Sequence, residues 1–252
     1  MNNIILITGA TSGFGKAIAE KFAGNGWNCI ITGRRSERLQ QLAEELSTKH
    51  KVNILPLALD VQLKLEVFQQ ITALPDKWKA IDVLVNNAGL ALGRDSFEDA
   101  SLGDWDTMID TNVKGLLYVS KAVLPLMIAK GKGHIINMGS TAAKEVYQNG
   151  NVYCASKFAV DAISKAQRID LLPHKIKVTA IHPGAAETEF SLVRFKGDEE
   201  KSKAVYEGFE ALHVEDIAEL VYYCATLPAH VCINDLVVSC TAQANSIYTY
   251  KG

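Results

Sequence analysis

The sequence predicts an α/β fold, a doubly wound parallel sheet of about seven strands with helices on both faces, on three observations. Short runs rich in Val, Ile and Leu alternate with longer segments of helical period, the first run passes directly into a glycine-rich turn, and no linker, low-complexity tract or internal repeat divides the chain. Strands that are apolar almost throughout, joined by helices, belong to a parallel sheet covered on both faces. A chain of 252 residues can bury a large core, so residues 1–252 are expected to form a single domain.

The strand-like runs lie near 3–8, 28–32, 52–59, 81–86, 133–138, 176–181 and 233–239. At the close of the first, Thr8-Gly9-Ala10-Thr11-Ser12-Gly13-Phe14-Gly15 opens a helix. Glycines at 9, 13 and 15 allow a tight turn and a close approach of backbone to ligand. The helix N-terminus then presents free N–H groups and partial positive charge to a diphosphate. Five residues separate Gly9 from Gly15, and Lys16 precedes Ala17, which excludes a mononucleotide P-loop. The strand–turn–helix context makes this a Rossmann-type dinucleotide site. Gly24-Asn25-Gly26 is placed to end that helix in the left-handed region.

After the second run comes Gly33-Arg34-Arg35, with no carboxylate before Glu37. An NAD site usually carries an acid here for the ribose 2′-hydroxyl. Paired guanidiniums instead suit a phosphate, so Arg34 and Arg35 favour NADP over the alternative of plain surface charge. Ser36 is placed to cap the next helix, with Glu37 in its first turn and Leu39, Leu42, Ala43 and Leu46 forming its apolar stripe. Asp60, beyond the third run, is placed to reach an adenine, with Val61 packing beneath it.

The sixth run leads into the least regular stretch, from about Pro183 to His213, rich in Glu, Lys, Arg, Gly and Ser. It reads either as a solvated insertion or as a lid, since loops at the carboxyl ends of such strands are where ligands bind. Tyr153 and Lys157 are four residues apart on a predicted helix, hence on one face. A phenol titrates near pH 10, and an adjacent ammonium favours the phenolate and lowers that pKa. A hydroxyl such as Ser140 would hold a reacting oxygen against the Tyr153 hydroxyl. Taken alone, the pair is equally a solvated helix face.

Bulk properties narrow the function classes. Hydrophobic content of 48% and charged content of 21% are those of a soluble globular chain. A formal net charge of −2 gives no electrostatic case for nucleic acid or anionic membrane. No signal peptide is expected, nor a stretch approaching the roughly 20 apolar residues that span a bilayer. Five cysteines without a Cys-x-x-Cys pair read as reduced and mostly buried, the pattern of a cytoplasmic protein. Six histidines without ligand spacing predict no metal site.

Thr8-Gly9-x-x-x-Gly13-x-Gly15, Asn86-Asn87-Ala88-Gly89, Asn112, Ser140, Tyr153-x-x-x-Lys157 and Pro183-Gly184 together resemble the short-chain dehydrogenase/reductase family, over nearly the whole chain. The resemblance implies that Tyr153 is the acid/base, that Lys157 lowers its pKa and holds the nicotinamide ribose, and that Ser140 orients the carbonyl or carbinol. Asn112 would hold a water linking Lys157 to solvent; without the other three it would read as a polar residue packed in a helix. Asn86, Asn87, Ala88 and Gly89 would pass the cofactor over the fourth strand. Pro183, Gly184, Ala185, Ala186 and Thr188 would contact the nicotinamide amide and diphosphate.

Asn86–Gly93, Thr107–Asn112, Arg194-Phe195-Lys196-Gly197-Asp198 and Thr226–Val231 further resemble the NADP-dependent 3-hydroxy acid dehydrogenases, which include serine 3-dehydrogenases. That group acts on L-serine, allo-threonine and related 3-hydroxy acids, so a cation must meet a carboxylate. Arg194 is the candidate and Lys196 the second, the alternative for Arg194 being a salt bridge to Asp198 or Glu199. The short run Ala185-Ala186-Glu187-Thr188 and the tail from Thr241 depart from the group. A short-chain carbonyl or 3-ketoacyl reductase is the enzyme alternative; a non-catalytic dinucleotide sensor is disfavoured because all four catalytic positions are filled. By analogy the chain is a homotetramer, pairing helices near 104–129 and 152–171 with their symmetry mates.

Overall fold

The first strand, β1 (Ile4–Ile7), shows why the chain builds a central sheet. Its alternate side chains enter opposite cores, Ile5 and Ile7 on one face and Ile4 and Leu6 on the other, and all are buried. Such a strand must be covered twice. In the computed structural model, which describes residues 2–252, seven parallel strands lie in the order β3-β2-β1-β4-β5-β6-β7. They are β1, β2 (Asn28–Gly33), β3 (Ile54–Ala58), β4 (Val83–Asn86), β5 (Gly133–Met138), β6 (Ile176–Pro183) and β7 (Asp235–Val238). The expected doubly wound sheet is therefore present, with the first, third, fourth and seventh strands shorter than their apolar runs.

The helices α1 (Gly13–Gly24), α2 (Ser36–His50) and α9 (Val214–Thr226) cover one face, and α3 (Lys64–Thr72) and α5 (Leu116–Lys130) cover the other. Helix α5 continues α4 (Leu102–Ile109) through a π-helical turn at Asp110–Gly115. Helix α6 (Asn151–Asp170) follows β5, and two short helices, α7 (Glu189–Arg194) and α8 (Glu199–Ala204), lie in the irregular stretch. The continuous helix Leu102–Lys130 is long and apolar enough to span a bilayer by length and composition alone, contrary to the sequence expectation. Here Val119, Val123 and Met127 spend that apolarity on the sheet core.

One predicted cap shifts and one holds. Arg35, not Ser36, is the N-cap of α2, and neither side chain closes a capping bond. Helix α1 ends on Asn25 at φ −102°, and the left-handed residue is Gly26 at φ +80°. Strand order reverses between β1 and β4, where the carboxyl ends diverge and open a crevice. The five cysteines are free, four of them buried.

Candidate active site

Along that crevice runs a cleft of about 760 Å³. Its floor at β1 is the glycine turn. Gly9 and Gly13 have φ +67° and +53°, conformations that a side chain resists. A Cβ on Gly15 would lie 2.3 Å from the Gly9 carbonyl, so only glycine lets α1 start this close to the turn. Ser12, the N-cap of α1, makes no side-chain capping bond, and the first turn carries no acid. That end keeps donors for an anion. Gly9, Thr11, Ser12, Gly13 and Phe14 line the cleft. Ala10 does not: its methyl is in the core and its N–H donates to the Thr32 carbonyl at 2.9 Å.

Arg34 and Arg35 both line the cleft at the end of β2. The Arg35 guanidinium reaches Thr11 Oγ1 at 2.7 Å, Ser12 Oγ at 2.9 Å and Glu189 at 3.0 Å. Arg38, unremarked in the sequence, holds the other Glu189 oxygen at 3.1 Å. Against burial, which raises it, Arg35 and Arg38 keep the Glu189 carboxyl below its usual range. Glycine cradle, uncapped helix end and guanidiniums fit a dinucleotide bearing a 2′-phosphate.

Beyond β4, Asn87 joins the two sides of the crevice. Its Nδ2 donates to the Thr8 and Gly9 carbonyls at 2.9 and 3.1 Å, while Thr8 Oγ1 accepts from the Asn87 and Ala88 N–H groups. Asn87, Ala88 and Gly89 line the cleft, as do Asp60 and Val61. Asn86 corrects the expectation of a cofactor contact: it is buried behind the cleft and donates to Ser120 Oγ and Asn137 Oδ1, both at 2.9 Å. A four-residue motif in a strand end cannot face one way throughout, since side chains alternate.

Tyr153 and Lys157 stand one turn apart on α6, both buried and both at the cleft wall. Lys157 Nζ donates to the Met138 carbonyl at 2.9 Å and lies 5.9 Å from the Tyr153 ring centre. Burial pulls the Lys157 pKa down to about 8. Burial likewise drives the Tyr153 phenol well above its ordinary value, against the opposing effects of the Ser140 hydroxyl and Arg194. The expected ammonium effect is thus outweighed by desolvation in the protein alone. Ser140 follows β5, and its Oγ accepts from the Ala142 N–H at 3.1 Å, leaving its proton free to donate.

Asn112 lies in the π-helical turn, buried and off the cleft. Its Nδ2 donates to the Leu90 carbonyl at 2.8 Å and Ser156 Oγ at 3.0 Å, and its Oδ1 accepts from the Leu90 N–H at 2.8 Å. The side-chain donors are therefore spent inside the protein.

Pro183, Gly184, Ala185, Ala186 and Thr188 line the opposite wall, and Phe190, Ser191, Val193 and Arg194 of α7 continue it. The irregular stretch divides accordingly: α7 covers the cleft, while Glu199 and Glu200 of α8 face solvent. Arg194 clasps the loop after β4, its Nε donating to the Gly93 carbonyl at 3.1 Å and its carbonyl accepting from the Gly93 N–H at 2.9 Å. Its Nη1 donates to the Tyr147 hydroxyl at 3.1 Å, and the guanidinium lies 5.6 Å from the ring centres of Tyr147 and Tyr153. Among the described residues no carboxylate pairs with it: Asp198 pairs with Lys201 and Glu199 with Lys203. Lys196, the second candidate, does not line the cleft and pairs with Asp104 at 2.7 Å.

The tail folds onto its own cleft. Gln243 Oε1 accepts from the Ala185 N–H at 2.8 Å, and Ser246, Ile247, Thr249 and Lys251 add lining. Tyr147 and Gln243 lie in a loop and in the tail, without periodicity, and Phe190 lies in a six-residue helix too short to show one.

The sequence model described as short chain dehydrogenase matches residues 3–198. The NADP-dependent 3-hydroxy acid dehydrogenase YdfG of Salmonella typhi is 51% identical over 242 residues, 96% of each chain. Sulfoacetaldehyde reductase 2 of Chromohalobacter salexigens is 49% identical over 249 residues, 98% of each. The solved closed form of serine dehydrogenase complexed with NADP+ superposes with a TM-score of 0.93 at 48% identity, covering 96% of this chain and 97% of that one. Cleft, motifs and relatives agree, and the chain belongs to the short-chain dehydrogenase family.

Proposed function

We propose that this enzyme transfers a hydride between NADP and a small 3-hydroxy acid of the L-serine, allo-threonine, 3-hydroxypropionate or 3-hydroxyisobutyrate type. The observation that carries the substrate class is Arg194, a guanidinium facing the catalytic tyrosine ring with no carboxylate partner among the described residues. A neutral ketone, or the 3-ketone of an acyl chain, would leave that part-buried charge without a counter-ion. The relatives named for 3-hydroxy acids support the reading.

When bound, the cofactor would supply the hydride-bearing carbon. Arg34 and Arg35 would hold its 2′-phosphate, and the glycine turn with Ser12 and the start of α1 would hold its diphosphate. Asp60 and Val61 would receive the adenine. Ser140 donates its free proton to the substrate oxygen and sets it against the Tyr153 hydroxyl, which takes or returns the proton. Lys157 holds the ribose, and with a pKa near 8 it can exchange protons close to neutrality. Asn112 fixes the backbone beside Lys157; a water would have to use its main-chain carbonyl or the remaining lone pair of Oδ1.

A sulfonate aldehyde presents an anion to the same guanidinium, and the sulfoacetaldehyde reductase relative favours it as a second substrate. Oxidation of L-serine and 3-hydroxypropionate with NADP, beside reduction of sulfoacetaldehyde and of neutral ketones with NADPH, tests the assignment. Turnover of neutral ketones alone would overturn it. A homotetramer is the assembly we propose, with Leu117 and Ile128 of α5 and Phe158 and Ile169 of α6 as the exposed apolar residues available for pairing.

A further inference from the structure

Behind the Ser140 turn lies a polar cluster that the reaction has not used. His182, next to last in β6, is fully buried. Its Nδ1 is 3.2 Å from the Ser140 carbonyl oxygen, and the ring is so close that a Cβ on Gly139 would sit 2.3 Å from it. Its Nε2 is 3.0 Å from Asp235 Oδ1 and 3.5 Å from Asp161 Oδ1. Lys144 Nζ bridges both carboxylates at 2.9 and 2.6 Å, and Lys165 takes the second Asp161 oxygen at 2.7 Å. Lys144 thus supplies a cation to both carboxylates.

A carbonyl only accepts, so Nδ1 must carry a proton. Burial and then Lys144 hold the imidazole pKa below its ordinary value, against Asp235, Asp161 and the Ser140 carbonyl. Nε2, although 3.0 Å from Asp235 Oδ1, is a buried atom that closes no hydrogen bond. Leaving a buried polar atom unpaired is costly, and such costs collect where a site needs the geometry. The ring's useful contact is thus the one to Ser140. That carbonyl also accepts from the Ala143 N–H at 2.8 Å while the hydroxyl accepts from Ala142 N–H, so the peptide after Ser140 is held from two directions.

We propose that His182 is the positioning residue of the Ser140 hydroxyl, its Nδ1–H fixing the Ser140 carbonyl while Asp235 and Asp161 border the ring's other edge. This rests on Ser140 orienting the substrate. Asp161 lies one turn beyond Lys157 on α6, so the cluster also joins the serine turn to the helix that carries Tyr153 and Lys157.

The test compares His182→Leu with His182→Asn, whose Nδ2 can replace the Nδ1 donor, each alone and with Ser140→Ala. In His182→Leu, kcat should fall about tenfold or more while substrate KM and the NADPH dissociation constant move less than about threefold. His182→Asn should recover kcat to within about threefold of the unmodified enzyme. In the Ser140→Ala background, His182→Leu should cost less than about twofold, because the group it acts through is gone. Unchanged kcat in His182→Leu, equal damage in His182→Asn, or the same loss with Ser140→Ala overturns the proposal. Full activity of Ser140→Ala itself would instead overturn the role of Ser140, and the positioning role with it. Should the leucine protein not fold, His182→Phe keeps a ring in the packed volume and removes the Nδ1 donor. It should lower kcat with NADPH affinity unchanged, and a wild-type kcat there overturns the proposal equally.

Discussion

Replacing Arg194 with Met should remove the proposed preference for acidic substrates. The residue has two jobs, a clasp onto Gly93 through Nε and a guanidinium face over Tyr153. Nε and one Nη1 hydrogen are committed to Gly93 and Tyr147, which leaves the second Nη1 hydrogen and the Nη2 amino group for a carboxylate. A hydrogen bond to a charged group contributes about 1.5–3 kcal/mol, so kcat/KM for the acid should fall about 10- to 150-fold. Met keeps the unbranched apolar stem that packs on the tyrosine rings, which limits collapse of α7. The contact is the same in ground and transition states, so the loss should appear chiefly in KM. The assay is initial rate with NADP on 3-hydroxypropionate and on its methyl ester, which removes the charge and little else. Acid and ester falling by the same factor would refute the reasoning, and the clasp alone would then explain the loss.

Tyr153→Phe should lower turnover by about 10²–10⁴-fold, the range for a positioned acid/base, while NADPH fluorescence still reports binding; substantial residual activity would remove the phenol from the chemistry. The Phe190 contact, 5.6 Å between ring centres, should survive because it needs only the ring. Changing Arg34 and Arg35 together to Ala should weaken NADP about tenfold or more relative to NAD, and equal losses would contradict the 2′-phosphate assignment. His134 is buried against Thr179 Oγ1 at 2.7 Å, and burial lowers its pKa to about 3. Unfolding lets it bind a proton below about pH 6.5, so its contribution to stability is present above that pH and is lost toward pH 3. The melting curve of the protein should therefore lose about 1.4 kcal/mol per pH unit in that window relative to a His134→Gln protein. Parallel pH profiles would show that His134 does not titrate on unfolding.

Strands that are apolar on both faces can only lie in a doubly covered sheet, so the sheet was legible from Ile4–Ile7 and its successors. Spacing did as much for chemistry that is local. Gly9, Gly13 and Gly15 share one turn, and Tyr153 and Lys157 share one helix face, because backbone geometry alone relates residues so near in sequence. NADP rather than NAD was likewise readable at Gly33-Arg34-Arg35, a property of one strand end. Tertiary structure decided what depends on distant segments meeting. It turned Asn86 away from the cleft toward Asn137, gave Lys196 to Asp104, and set Arg194 over the Tyr153 ring with no carboxylate partner among the described residues. It also made desolvation, not the neighbouring ammonium, the dominant influence on Tyr153. The same cause brought His182 beneath Ser140, 42 residues away, and folded the tail against Ala185. Burial and long-range pairing are sums over the whole fold, and no window of sequence contains them.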